Sequence, residues 1–347
     1  MALPEFHSVL IINLGGMGDL LLSIPALRAL KQRYSGARFD FLVSDRTPGW
    51  FAGFDLANHL YAWPGNLLAA PALLRELRRN RYDLAVNMRT MVSGISSLKM
   101  RLLAAGVAAR MTCGRDTDGR GGFFDIRIPE TNAGGQHEML YDCDTARALG
   151  AEVKDMRVVL SADHAARLAL SDVLVSRGGN PDLELIVVHP GGMPSRRWPL
   201  ERFARLIALL REKADAACAV AVTGDSRERL LCRQLCRMAG PGVSDLSGLL
   251  SPPMLFALME KARLVITNDT GPMHVAAMMQ RPLIALFGPG DLVRYDPRVI
   301  HPRAVVFFKG RELPVCNKRN CRGRECLKRI DVDEVARAAL RLLEVDL

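Results

Sequence analysis

The sequence has 347 residues and a formal net charge of +10, from 47 Lys/Arg against 37 Asp/Glu, with 49% hydrophobic and 24% charged residues. That length exceeds one ordinary core and predicts two domains, and no apolar run reaches the ~18 residues that a membrane-spanning helix needs. Aromatic residues make up only 6% and no basic stripe is interleaved with them, so a nucleic-acid partner is not expected.

Residues 1–7 lack the basic start and apolar centre of a signal peptide, and a first strand follows at 9–12. A cytoplasmic protein is expected, with its eight cysteines as reduced thiols rather than a disulfide framework. The turn Asn13-Leu14-Gly15-Gly16-Met17-Gly18-Asp19 leads into a helix at 20–34, with apolar residues at 21, 24, 27, 29 and 30, and a strand returns at 39–43. This is a βαβ unit with a glycine turn at the helix start. The dinucleotide pattern G-x-G-x-x-G would begin at Gly16 and require glycine at 21, where Leu21 stands; a nicotinamide oxidoreductase is disfavoured. The glycines still let a ligand approach the backbone, with Asp19 at the mouth of the turn. Further strands are predicted at 59–62, 83–86, 108–113 and 124–128, the last two separated by the glycine- and charge-rich stretch 114–122. Helices are predicted at 67–79, 91–105, 136–149 and 163–177, with an extended stretch at 157–160. Gly178-Gly179-Asn180-Pro181 is the strongest linker signal. It predicts an N-terminal domain over 1–178 and a C-terminal one over 179–330, with the amphipathic final helix, 331–347, packing back on the first.

After the linker the pattern restarts. Strands are predicted at 185–189, 217–222 and 243–246, and helices at 200–211, 227–238 and 251–261. The stretch 264–291 then reads as strand, polar turn, helix, strand and glycine turn. Asp269 or Thr270 can cap its helix and Pro272 suits the first helical position. A helix start at the carboxyl edge of a parallel sheet is where a phosphorylated ligand binds, and Asp269, Thr270, Gly271 and His274 are concentrated there. An ordinary capped helix with a core-facing histidine is the alternative. Strand–helix alternation on both sides of the linker gives an α/β fold of two Rossmann-like domains, each with a parallel sheet, facing a central cleft.

The charge is unevenly spread. Residues 294–329 hold eleven Lys/Arg against three acids, and 75–110 hold eight against two. Such concentrations attract phosphate-rich partners, although a solvated basic face is the plain alternative.

Three sets of residues together resemble glycosyltransferase family 9, the ADP-heptose heptosyltransferases of lipopolysaccharide inner-core assembly. They are Leu14-Gly15-Gly16-Met17-Gly18-Asp19-Leu20 with Pro25-Ala26-Leu27-Arg28-Ala29-Leu30; His189-Pro190-Gly191-Gly192 with Arg197-Trp198-Pro199 and Arg202-Phe203; and Asn268-Asp269-Thr270-Gly271-Pro272-Met273-His274-Val275-Ala276-Ala277 with Phe287-Gly288-Pro289. The resemblance spans nearly the whole chain. It implies a GT-B fold, with acceptor in the N-terminal half and donor in the C-terminal half. It also implies an inverting, metal-independent transfer from a nucleotide sugar that is substrate rather than cofactor.

By that resemblance Asp19 is the general base that takes the proton of the acceptor hydroxyl; a helix-capping aspartate is the alternative. The leaving diphosphate is met by Thr270-Gly271 amides at a helix start and by Arg196, where the family usually has lysine, with Arg197 able to share the task. Gly192 belongs to the donor turn. Asp269 binds a donor hydroxyl or orients amides, and His274 reaches phosphate or braces the loop. Glu228 contacts the nucleoside or lies on a solvent-exposed helix face. Position 290 is glycine where threonine or serine is expected. Gly16, Arg89, Lys99 and Arg101 are assigned to an anionic, lipid-linked glycan acceptor, and the basic segment to peripheral contact with the inner leaflet, at ~1 kcal/mol per basic residue near the surface. Cys316, Cys321 and Cys326 lack a standard zinc spacing, so free thiols or one facultative disulfide are expected and no metal is assigned. Two other readings stay open: another nucleotide-sugar GT-B transferase acting on a different glycan or on protein, and a catalytically silent homologue. The intact Asp19 and Asp269-Thr270-Gly271 weigh against the second.

Overall fold

The structure, a computed structural model, describes residues 3–45, 47, 49, 54–64, 69–131, 134–213, 218–310 and 323–344. It divides into two compact units, Met1–Val158 and Val159–Leu347.

The first unit contains β1 (Ser8–Asn13), α1 (Met17–Arg33), β2 (Arg38–Ser44), β3 (His59–Trp63), α2 (Ala70–Arg79), β4 (Leu84–Asn87), α3 (Gly94–Val107), β5 (Met111–Thr117), β6 (Ile126–Glu130) and α4 (Glu138–Ala148). Its six strands are all parallel, in the order β3-β2-β1-β4-β5-β6. The run Val9-Leu10-Ile11-Ile12 is fully buried, as expected of a parallel strand covered on both faces. The second unit contains α5 (His164–Ser176), β7 (Glu184–His189), α6 (Leu200–Lys213), β8 (Cys218–Val222), α7 (Arg229–Ala239), β9 (Val243–Asp245), α8 (Pro252–Glu260), β10 (Ala262–Asn268), α9 (Gly271–Met278), β11 (Leu283–Phe287), α10 (Leu292–Tyr295), β12 (Val305–Phe308), α11 (Glu325–Lys328) and α12 (Val332–Glu344). Its six strands are again parallel, ordered β12-β11-β10-β7-β8-β9. Each unit thus repeats one doubly wound order. The chain leaves the central strand pair, β1/β4 or β7/β10, in opposite directions and opens a crevice at the carboxyl ends of those strands. Among the described residues no helix is long and apolar enough to cross a membrane.

Three expectations need correction. The division falls at Val158/Val159 rather than at the Gly178–Pro181 turn. Helix α5 belongs to the second unit because Arg167 forks onto Glu260 at the end of α8 with bonds of 2.7 and 3.0 Å, and Ala162 donates its N–H to the same carboxylate. The glycine turn therefore joins elements of one unit. Secondly, α12, expected to pack back on the first unit, is built into the core of the second. Its buried residues Val335, Ala338, Ala339 and Leu343 share a core with Phe203 and Ile207 of α6 and Leu264 of β10, because its apolar stripe matches the stripe of α6 over the second sheet. Thirdly, 114–117 is not loop but the continuation of β5. Its charge misleads because Arg115 is fully buried, neutralised from neighbouring elements. Its guanidinium lies 3.1 Å from Glu130 of β6 and 2.8 Å from Glu138 of α4, and also bonds Asp142. All three carboxylates are buried. Thr90 donates to Glu130 at 2.8 Å and Thr117 donates to its other oxygen.

Candidate active site

At the first switch point β1 ends on Asn13, whose buried amide accepts the Gly15 N–H at 3.1 Å and donates to Ser23 Oγ at 3.3 Å. That fixes the turn against the second coil of α1. Gly16 is the N-cap and Asp19 the third helical residue, so Asp19 is not itself the cap. Its Oδ2 accepts the Gly16 N–H at 2.9 Å, and its Oδ1 pairs with Arg89 Nη1 at 2.5 Å. Arg89 comes from the equivalent turn after β4, which Asn87 folds by donating to the Arg89 carbonyl at 2.8 Å and accepting the Arg89 N–H at 3.1 Å. A Cβ on Gly15 would stand 2.7 Å from Asp19 Oδ2 and 2.9 Å from Arg89 Nη1, whereas one on Gly16 would meet Asp19 Oδ2 only at 3.8 Å. Gly15 is thus the glycine that the approach of these two side chains requires.

The acceptor-side residues divide. Arg89, assigned through the resemblance to an anionic acceptor, pairs with Asp19 and lies 3.9 Å from Glu138. Glu138 links it to the buried Arg115. The four carboxylates Asp19, Glu130, Glu138 and Asp142 therefore share two guanidiniums. Burial pushes Asp142 up to about 8 against the pull of Arg115, with the charge of Glu138 adding to the rise. Sequence reasoning missed this network. Its only trace was a lone arginine between a glycine and an aspartate, read as loop. Lys99 and Arg101 stand instead on the exposed face of α3. Arg101 borders a surface pocket of about 480 Å³ with Leu98, Arg120 and Phe123.

At the second switch point Asn268, buried at the end of β10, donates to the carbonyls of Pro190 and Gly191 at 2.9 and 3.0 Å and accepts the Trp198 N–H at 3.0 Å. One amide thereby holds the whole loop after β7. Gly192 has φ +102°, and a Cβ there would overlap Thr270 Cγ2. The Gly192 N–H donates to Glu228 Oε1 at 2.6 Å, and Glu228 Oε2 accepts the Asp225 N–H at 2.9 Å. Glu228 is therefore not on a solvent-exposed helix face: its side chain is 11% exposed, with Arg197 Nη2 at 3.7 Å. His189 Nε2 lies 3.9 Å from it, and burial pushes that imidazole below its usual range, so it stays neutral. Arg197 donates to the Gly192 carbonyl at 2.7 Å.

Asp269 is buried and pairs with Arg196 at 2.8 Å. Its Oδ2 fills the space that a side chain at 290 would need, which accounts for glycine at that position. Thr270 is the N-cap of α9 but makes no side-chain cap bond; its hydroxyl lies 3.3 Å from Thr267 Oγ1. The first turn of α9 thus begins at the switch point without a cap bond from Thr270, directly after Asp269 and its Arg196 partner. Such a start suits an anionic group. His274 is buried on the same helix, its ring centroid 5.9 Å from that of Tyr295, which fits bracing better than ligand contact. Cys326 is buried in the second core; Cys316 and Cys321 lie outside the described residues.

The sequence profile of glycosyltransferase family 9 (heptosyltransferase) matches residues 71–326. The chain belongs to glycosyltransferase family 9. It is 26% identical to lipopolysaccharide heptosyltransferase 3 of Escherichia coli, over 94% of this chain and 96% of that one. Its fold is that of the ADP-heptose lps heptosyltransferase II structure from E. coli (TM-score 0.74, 19% identity, 98% of this chain and 99% of that one). It is equally that of a family 9 glycosyltransferase from Veillonella parvula (TM-score 0.76, 20% identity, 98% and 97% covered). Membership makes the chain a glycosyltransferase, and its two like-ordered parallel sheets are the two Rossmann-like domains of the GT-B class.

Proposed function

We propose that this family 9 glycosyltransferase moves a heptose from ADP-heptose to a lipopolysaccharide inner-core acceptor, with inversion and without a metal ion. The observation that carries the reading is the make-up of the two switch points: an acid held between an amide and a guanidinium at the first, and a glycine turn beside a helix start that Thr270 does not cap at the second. Asp19 takes the proton of the acceptor hydroxyl as that oxygen attacks the anomeric carbon from the face opposite ADP. The bond from that carbon to the β-phosphate oxygen breaks, and ADP leaves with the electron pair. Amides at Thr270-Gly271, the helix dipole and Arg196, with Arg197 sharing the task, meet the charge that develops on the diphosphate. Glu228 serves by holding the Gly192 amide and the turn, rather than by reaching the nucleoside. Lys99 and Arg101 meet anionic groups of the acceptor, whose lipid brings the enzyme to the cytoplasmic face of the inner membrane. No cofactor takes part.

The test is incubation with ADP-heptose and truncated lipopolysaccharide, read by mass spectrometry. A heptose-sized mass gain, ADP release and turnover unchanged by EDTA are expected; transfer of a different sugar, or none, overturns the reading. A second expectation concerns the donor turn. Gly192→Ala forces a strained φ and an overlap with Thr270, so it should lower stability by about 1–3 kcal/mol and weaken ADP-heptose binding in calorimetry. Unchanged affinity would remove Gly192 from the donor site.

A further inference from the structure

Helix α3 carries two apolar faces. Met100, Leu103, Ala104 and Val107 face the core of the first unit. On the opposite side Ile95, Leu98 and Leu102 are 70%, 55% and 62% exposed. Their spacing of three and four residues aligns them in one stripe along the helix. Lys99 and Arg101, both exposed, fall on either side of that stripe at about 100° per residue. The adjoining α2 adds exposed Arg75, Arg78 and Arg79. The helix starts five residues after Arg89, the partner of Asp19, so the stripe follows closely in sequence the turn that holds Asp19, and Ser97 Oγ ties the helix to the Arg120 carbonyl at 2.6 Å.

An apolar stripe of this size in water is costly. Flanking cations and a net +6 over residues 75–110 oppose its burial against a second copy of the same face. The same charges favour an anionic bilayer surface, where an amphipathic helix lies in the interface plane with its apolar side among the acyl chains and its cations among the headgroups. We infer that the Ile95/Leu98/Leu102 face of α3 inserts into the headgroup region of an anionic membrane. This presents the Asp19 side of the first unit to the lipid surface. The inference deepens the proposed transfer to a lipid-linked acceptor and rests on that reading for its purpose, but its test does not need activity.

The full chain is floated with vesicles of phosphatidylglycerol and phosphatidylethanolamine, and with phosphatidylcholine alone. Flotation with the anionic vesicles only is expected, reversed by salt. The triple variant I95Q/L98Q/L102Q should lower partitioning by about a hundredfold while thermal unfolding is unchanged, and K99E/R101E should abolish it. With transfer read in parallel, the triple variant should raise KM for acceptor in vesicles yet leave turnover on a deacylated, water-soluble acceptor unaltered. Wild-type chain that does not float, a triple variant that floats like wild type, or a wild-type dimer that the triple variant dissociates would each overturn the inference. Flotation of wild type without heptose transfer to either acceptor would overturn the proposed reaction and leave the membrane face standing.

Discussion

Asp19→Asn is expected to lower kcat by about 10²–10⁴-fold, the usual worth of a positioned general base, with little change in the Kd for ADP-heptose. The substitution removes the proton acceptor and keeps the shape. Asparagine can still accept the Gly16 N–H through its carbonyl oxygen, so the start of α1 should hold, but its amide NH2 replaces the oxygen that pairs with Arg89, and stability should fall by about 1–3 kcal/mol. The side chain is 17% exposed, enough for a hydroxyl to reach it, and its two oxygens are fixed from two sides by an amide and by Arg89. Initial rates at saturating donor, with calorimetry for affinity, separate the step from binding. Near wild-type turnover would show that Asp19 only completes the capping of α1.

Arg115→Met should be the most damaging single change to the first unit, costing about 3–5 kcal/mol because it leaves buried carboxylates without their cation. For a unit of this size that is a fall in midpoint of roughly 10 °C or more, read by calorimetry. Loss of under 1 kcal/mol would mean that Arg115 is not what balances the three acids. The same crowding gives a pH dependence. Asp142, pushed up to about 8 by burial, keeps its proton in the folded state where the unfolded chain has released it. Folding therefore binds a proton, and stability falls as pH rises from the ordinary carboxylate range towards 8. Asp142→Asn should flatten that slope in urea titrations at pH 6 and pH 8. Glu138 touches both Arg115 and Arg89, so weakening the network should also loosen the pair that orients Asp19.

Local pattern determined much of this protein. Continuous apolar runs such as 9–12 and 185–188 are buried parallel strands because both faces of the sheet are covered. Their alternation with helices was enough to give two doubly wound units, and the glycine turns with Asp269-Thr270-Gly271 marked both switch points. These signals are legible because they depend on residues close in the chain: a strand, the turn after it and the helix that follows. Tertiary structure decided the rest, where the determining partner is distant. Arg115 looked like a loop charge until Glu138 and Asp142 of α4 and Glu130 of β6 enclosed it. Arg89 looked like a docking cation until the turn after β4 brought it to Asp19, 70 residues earlier in sequence. Glu228 was ambiguous until the Gly192 amide, 36 residues away, claimed its carboxylate. The end of α5 at a glycine turn resembled a domain boundary, and only the Arg167–Glu260 fork, 93 residues apart, showed which unit the helix belongs to. The charge of a side chain is written in the sequence, but whether water or another side chain balances it depends on which elements the fold packs together.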